Sequence, residues 1–94
     1  MASGTQNIPL YTPQTITGSD MNTIYNSAPY ENMTLIDCRG TGNVPDGVTN
    51  HWFGFQWKNS SGMYGFQVAF SFNNDKIYKR HAQNASTLSA WVAV

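Results

Sequence analysis

In a chain of 94 residues, side-chain carboxylates occur only at Asp20, Glu31, Asp37, Asp46 and Asp75, which leaves few routes to acid–base chemistry. Glycoside hydrolysis needs two of them flanking one bond. Four of the five lie in or beside turn-forming stretches, and the sequence pairs no two of them on neighbouring strands. They read as solvated loop acids. His51 and His81 stand alone, without a His-x-His or His-Glu-x-x-His spacing for a metal. The metal arrangement left open is one histidine from each of three chains meeting on an axis. No Gly-x-Ser-x-Gly elbow supports a Ser-His-Asp triad. Cys38 is the sole cysteine, so no intrachain disulfide forms, and the thiol reads as a buried apolar group rather than a nucleophile. Gly40-Thr-Gly42 is not a phosphate loop, because no Lys-Ser/Thr follows and no helix opens after it. The expectation is a protein that is not an enzyme and has no cofactor and no resident metal.

Binding chemistry is better represented. Alternation in 50–58 places Trp52 on the opposite side from Phe53, Phe55 and Trp57. An outward indole flanked by amides and imidazole can stack on a sugar ring while its neighbours reach the hydroxyls. The glycan-binding candidates are Trp52, His51, Tyr30, Asn43 and Asp46. The competing reading packs Trp52 against the N-terminal arm or a neighbouring subunit. Gln67, Arg80 and Trp91 form a separate group. An arginine in a strand can pair across to its neighbour, stack on a ring or fork a carboxylate. The reading preferred for these three is a hydrogen-bonded tie between strands or subunits.

Composition narrows the partners. Formal net charge is zero and only 11% of residues are charged, against a usual fraction of about a quarter. That argues against nucleic acid, which calls for a basic stripe, and against an acidic membrane surface. Residues 1–20 lack the basic and apolar regions of a secretory signal, and no apolar run is long enough to span a membrane. The Asn, Thr, Ser and Gln that replace charge suit sugars, subunit interfaces or an extracellular fibre. Three Trp, five Tyr and five Phe give much apolar area to a small domain. With one cysteine, folding in a reducing cytosol is expected even if the protein acts outside a cell.

The elements that must position these groups are strands. Tyr64, Phe66, Val68, Phe70 and Phe72 alternate with Gly65, Gln67, Ala69 and Ser71, the period-two pattern of a half-buried strand. The aromatic side is expected to be core, and the Gln67 side to serve strand or subunit pairing. Asn59-Ser-Ser-Gly62 joins this strand to the 50–58 strand as a hairpin, and Asn73–Asp75 and Gln83–Thr87 make two more turns. Asn32–Arg39 is a further strand whose inward face the mixed side chains leave open. Met21–Tyr25 reads as a helical turn capped by Ser19 or Asp20 and broken by Pro29. Residues 40–49 form the longest loop. Residues 1–18 read as an extended arm or linker, with a short edge strand at Ile8–Tyr11 or Gln14–Thr17. Residues 19–94 read as one all-β domain, a small antiparallel β-sandwich of about five to seven strands.

Gln67, then Asn74-Asp-Lys-Ile-Tyr-Lys-Arg80, then Ser89-Ala-Trp91, together resemble the knob-like domain at the tips of pyocin and phage tail fibres. Asp20-Met-Asn-Thr-Ile24 fits the opening turn of that family, and Val44-Pro-Asp-Gly47 fits its loop. Leu88 stands where the first tryptophan of the closing pair would be, so that motif is half kept. The resemblance spans about residues 19–94. It implies a β-sandwich knob that assembles as a homotrimer on an upstream fibre or virion protein. Its place would be a distal tail or head fibre, folded in the host cytoplasm and acting extracellularly in attachment to a host-surface polysaccharide or other glycan. The resemblance assigns Gln67, Arg80 and Trp91 a structural role and no ligand contact. Two alternatives stand beside it: a purely structural trimerisation, baseplate or capsid-decoration domain, and a domain that hydrolyses surface polysaccharide.

Overall fold

The computed structural model describes residues 12–94, so the Ile8–Tyr11 strand reading lies outside the described residues. The described elements are β1 (Gln14–Asp20), α1 (Met21–Ser27), β2 (Thr34–Gly42), β3 (Trp52–Lys58), β4 (Gly65–Ser71), β5 (Ile77–Asn84), β6 (Thr87–Leu88) and β7 (Val92–Ala93). They build one curled sheet in the order β1-β2-β3-β4-β5-β6, and β7 also pairs with β5. The all-β class is as expected. The second layer, however, is the helix α1 rather than a second sheet. Strands β2 to β5 are antiparallel neighbours, whereas β1 runs parallel to β2. A parallel pair needs a crossover of about a dozen residues, and α1 with the turn after it supplies that connection. Gln14–Gly18 pair with Thr34–Cys38, so the sheet takes in part of the segment read as an arm.

The start of α1 is set locally. Asp20 keeps extended backbone angles and its Oδ1 accepts from the amides of Asn22 (2.8 Å) and Thr23 (3.3 Å), as an N-cap does. The helix runs two residues beyond the sequence expectation and stops before Pro29. It lays Met21, Ile24 and Tyr25 on the sheet. The core there consists of Met21, Ile24, Ile36, Cys38, Val44, Trp52 and Ala69. Burial pushes the Cys38 thiol's pKa up, in keeping with an inert packing role. Small residues make room for the helix: a Cβ at Gly65 would collide with the Tyr25 hydroxyl.

The sides of the sheet are the reverse of the sequence expectation. On β4 it is Gln67, Ala69 and Ser71 that are buried beneath the helix. The aromatic run faces out: Phe53 is 44% exposed, Phe70 37% and Leu35 40%. Register sets Phe53 beside Phe70, Phe55 beside Val68 and Trp57 beside Phe66. The rings of Phe66 and Phe70 each lie 6.2 Å from that of Phe55. The physical reason lies in α1. A short helix pressed on a sheet brings unsatisfied carbonyls with it, and they require donors from the covered face. Gln56 and Lys58 of β3 provide them at the Tyr25 carbonyl.

Candidate functional site

Gln56, Gln67 and Arg80 occupy one row across β3, β4 and β5, each opposite the next. Gln67 Nε2 donates to Gln56 Oε1 (2.9 Å) and to the Met21 carbonyl (3.1 Å), and Gln67 Oε1 accepts from Arg80 Nε (2.8 Å). At one end, Gln56 Nε2 (3.3 Å) and Lys58 Nζ (2.8 Å) both donate to the Tyr25 carbonyl, one of the acceptors that the end of a helix leaves open. Lys58 is buried, lies 5.1 Å from the Tyr25 ring centroid, and has its pKa pushed down by burial. At the other end the Arg80 guanidinium sits 4.4 Å from the centroid of the Trp91 indole, a cation–π contact. Trp91 Nε1 donates to the Asn43 carbonyl (2.9 Å), and Asn43 Nδ2 donates to both oxygens of Asp20 (3.0 Å each). The result is an almost continuous polar row from Lys58 to the N-cap of α1.

Asn43 has a left-handed backbone, φ 52°, a region that asparagine enters more readily than most residues. That conformation accompanies both of its contacts, one to Trp91 and one to Asp20. Burial tends to raise the Asp20 pKa. The hydrogen bonds from Asn43, Asn22 and Thr23 outweigh it and hold the carboxyl below its ordinary 3.8. The chain end is held by Ser89, whose amide donates to the His81 carbonyl (2.8 Å) and whose Oγ accepts from the His81 amide (3.0 Å).

Beside Arg80 and Trp91 the surface opens into a cleft of about 550 Å³. Asn22, Asn43, Ser86 and Ser89 supply amides and hydroxyls to its wall, and Val44 and Pro45 supply apolar surface. Arg80 is its one charged lining residue. Among the described residues no cluster of three or more His, Cys, Asp or Glu is placed to hold a metal, and no helix is long and apolar enough to cross a membrane.

The five glycan candidates do not converge. Trp52 is fully buried, edge-on to Tyr78 at 5.6 Å, with Nε1 donating to the Thr49 carbonyl (2.8 Å). It has no face to offer a sugar, which corrects the outward reading; its packing is against the covered core. His51 lies at the rim of the outer aromatic face, 6.1 Å from Phe53 and 5.4 Å from Phe72. Tyr30 is exposed at the other end of β3, with Lys58 Nζ 4.7 Å from its ring centroid. At about 3.4 Å per residue, β3 separates His51 from the Lys58 end by roughly 24 Å. Asp46 is spent on its own turn, accepting from the amides of Val48 and Thr49 (2.8 Å each) and from the Thr49 hydroxyl. Only Asn43 is on the cleft. Gln67, Arg80 and Trp91, by contrast, are brought together. The sequence reading missed Asn22, Ser86 and Ser89 as cleft residues, and Gln56 and Lys58 as members of the row. The available signal was that Gln56 and Lys58 alternate in phase with Trp52. Compared with known protein families, with curated proteins and with solved structures, the chain matches none.

Proposed function

We propose that this domain is a fibre-tip knob of a phage or tailocin that attaches to a host-cell surface by binding a glycan in the cleft beside Trp91. The observation that carries the reading is the chemistry of that cleft. Its wall combines side-chain amides, hydroxyls and a half-buried indole, the groups that meet the hydroxyls and C–H faces of sugars. The resemblance to tail-fibre knobs supports the fibre-tip part of the reading alone, since it gives Gln67, Arg80 and Trp91, which adjoin one another beside the cleft, a structural role. The working state is a homotrimer joined to an upstream fibre or virion protein, and it binds without turnover. Trimerisation multiplies weak sugar sites into avid attachment. The test is a glycan array probed with the purified protein, with its mass measured by light scattering. Binding to host-derived saccharides by a trimer is expected. Silence across such an array, or a monomer at micromolar concentration, removes the corresponding half of the reading.

A second reading is a purely structural trimerisation, baseplate or decoration part. The uncovered aromatic face of β2 to β4 favours it, because Leu35, Phe53 and Phe70 on one side of a small domain suit burial against another surface. A stable trimer that binds no saccharide selects this reading.

A further inference from the structure

On the uncovered side of the sheet, one row runs Leu35, Phe55, Val68, Lys79 and Val92 across β2, β3, β4, β5 and β7. Every member but Lys79 is apolar, and the cation stands between the two valines. The next row sets Phe66 of β4 beside His81 of β5. Alternation fixes the side: Tyr78 and Arg80 turn toward the covered core, so Lys79 and His81 turn outward. Phe66, Val68, Lys79, His81, Ser89 and Val92 border a groove of about 460 Å³. That size suits a small molecule. The cleft beside Trp91 borders α1 instead.

The groove is apolar along Phe66, Val68 and Val92, and its exposed polar groups are donors. Among the described residues Lys79 has no ion pair. Ser89 Oγ accepts from the His81 amide (3.0 Å) and lies 3.3 Å from His81 Nδ1, which leaves Nε2 as the ring nitrogen to meet a ligand. No acid of the sheet competes for the ammonium: Asp37 is the one carboxylate in β2 to β5, and Arg39 holds it at 3.0 and 3.2 Å. A second copy laid on this face therefore brings Lys79 no free strand carboxylate. A neutral apolar ligand leaves the ammonium unused, and a small anion leaves the valines and Phe66 unused. A molecule with an apolar chain and one carboxylate uses both, since its chain covers the apolar wall and its head meets the cation.

We propose that this groove binds a free fatty acid of medium chain length, with its carboxylate against Lys79 Nζ and His81 Nε2 and its chain along Phe66, Val68 and Val92. The site is separate from the glycan cleft and does not depend on it.

The experiment uses the full chain with ¹³C-labelled valine methyl groups and follows Val68 and Val92 at neutral pH. The probes are hexanoate, octanoate and decanoate below the concentrations at which they form micelles, with 1-octanol, octylammonium and acetate as controls. Octanoate is expected to move both valines and to saturate. Affinity should rise about fourfold per added methylene until the groove is filled. Octanol should bind about tenfold more weakly than octanoate, the value of a lost charge-assisted contact, and Lys79→Met should bring octanoate down to the level of octanol. Octanol or octylammonium that binds as well as octanoate overturns the proposal, leaving an apolar groove with no choice of head group. Acetate that binds as well as decanoate also overturns it, marking an anion site without a chain site. If no acid moves the valines, the proposal falls. A response only to phosphatidylglycerol vesicles, or only to raised protein concentration, likewise overturns it and gives the groove to a membrane or to a second copy. The comparison varies the ligand, so it does not depend on a Lys79 variant folding, and none of its outcomes bears on the glycan array.

Discussion

The two faces of this sheet are built from opposite materials, and each sits where its composition alone would not put it. The covered face holds Thr34, Gln56, Lys58, Gln67 and Arg80, all buried. The uncovered face holds Leu35, Phe53, Phe55, Phe66 and Phe70. The difference lies in what covers each. A helix brings backbone carbonyls, so the face beneath it must supply donors as well as apolar area. On the outer face, the rings pack beside one another within the surface and retain substantial exposure. Apolar composition therefore did not decide which face became the core. The helix did, by way of the few apolar residues it could reach: Trp52, Ile36, Cys38 and Ala69.

The largest test of this contrast compares two sequence neighbours on opposite faces. Trp52→Ala is expected to cost about 4 kcal/mol, the usual loss for a large aromatic removed from a core, read as a lowered urea midpoint. If Trp52→Ala costs no more than Phe53→Ala, the assignment of faces is wrong. Next is the polar row. Gln67→Leu keeps the volume but strands Arg80 Nε and the acceptor Gln56 Oε1. A cost of about 3 kcal/mol is expected from unsatisfied buried groups. A neutral result would mean that the row fills space rather than holding the helix.

A smaller effect should appear at the helix start. Asp20→Ala removes an N-cap and the anchor of Asn43, for about 1 kcal/mol at neutral pH. The folded pKa of Asp20 lies below its unfolded value of 3.8. Its stabilisation is therefore complete above that value and fades as pH falls through the folded pKa. Stability curves of the native chain and the variant should converge under acid conditions. A gap that stays constant below pH 3.8 would remove the charge from the explanation. The smallest folding effect is expected on the outer face. Phe53→Ser should change chain stability by about 0.5 kcal/mol or less in the isolated chain, yet it should lower the mass seen by light scattering if copies meet there. An unchanged trimer would put the contact surface elsewhere.

Much of the strand framework was legible. The run 64–72, the turns at 59–62 and 73–75, the capped helix at Asp20 and the alternation around Trp52 all rest on local chemistry. The cleft was not. Asn22 is on α1, Asn43 follows β2, and Ser86 and Ser89 flank β6. Nothing local marks such residues as neighbours. Tyr30 and His51 are both candidates in sequence, yet the length of β3 keeps them apart. Gln67, Arg80 and Trp91 were singled out through their resemblance pattern, and their contact follows from the β4–β5 register and the path of the chain end.

By itself the sequence determined periods, turns and caps, because these arise from side-chain alternation and from backbone groups a few residues apart. It also determined that one strand face is aromatic and the other polar. Only the tertiary structure decided which of those faces lies inside. Alternation is symmetric between the two sides of a sheet, and that symmetry is broken only when α1 lands on one of them and its carbonyls select the face that can donate hydrogen bonds.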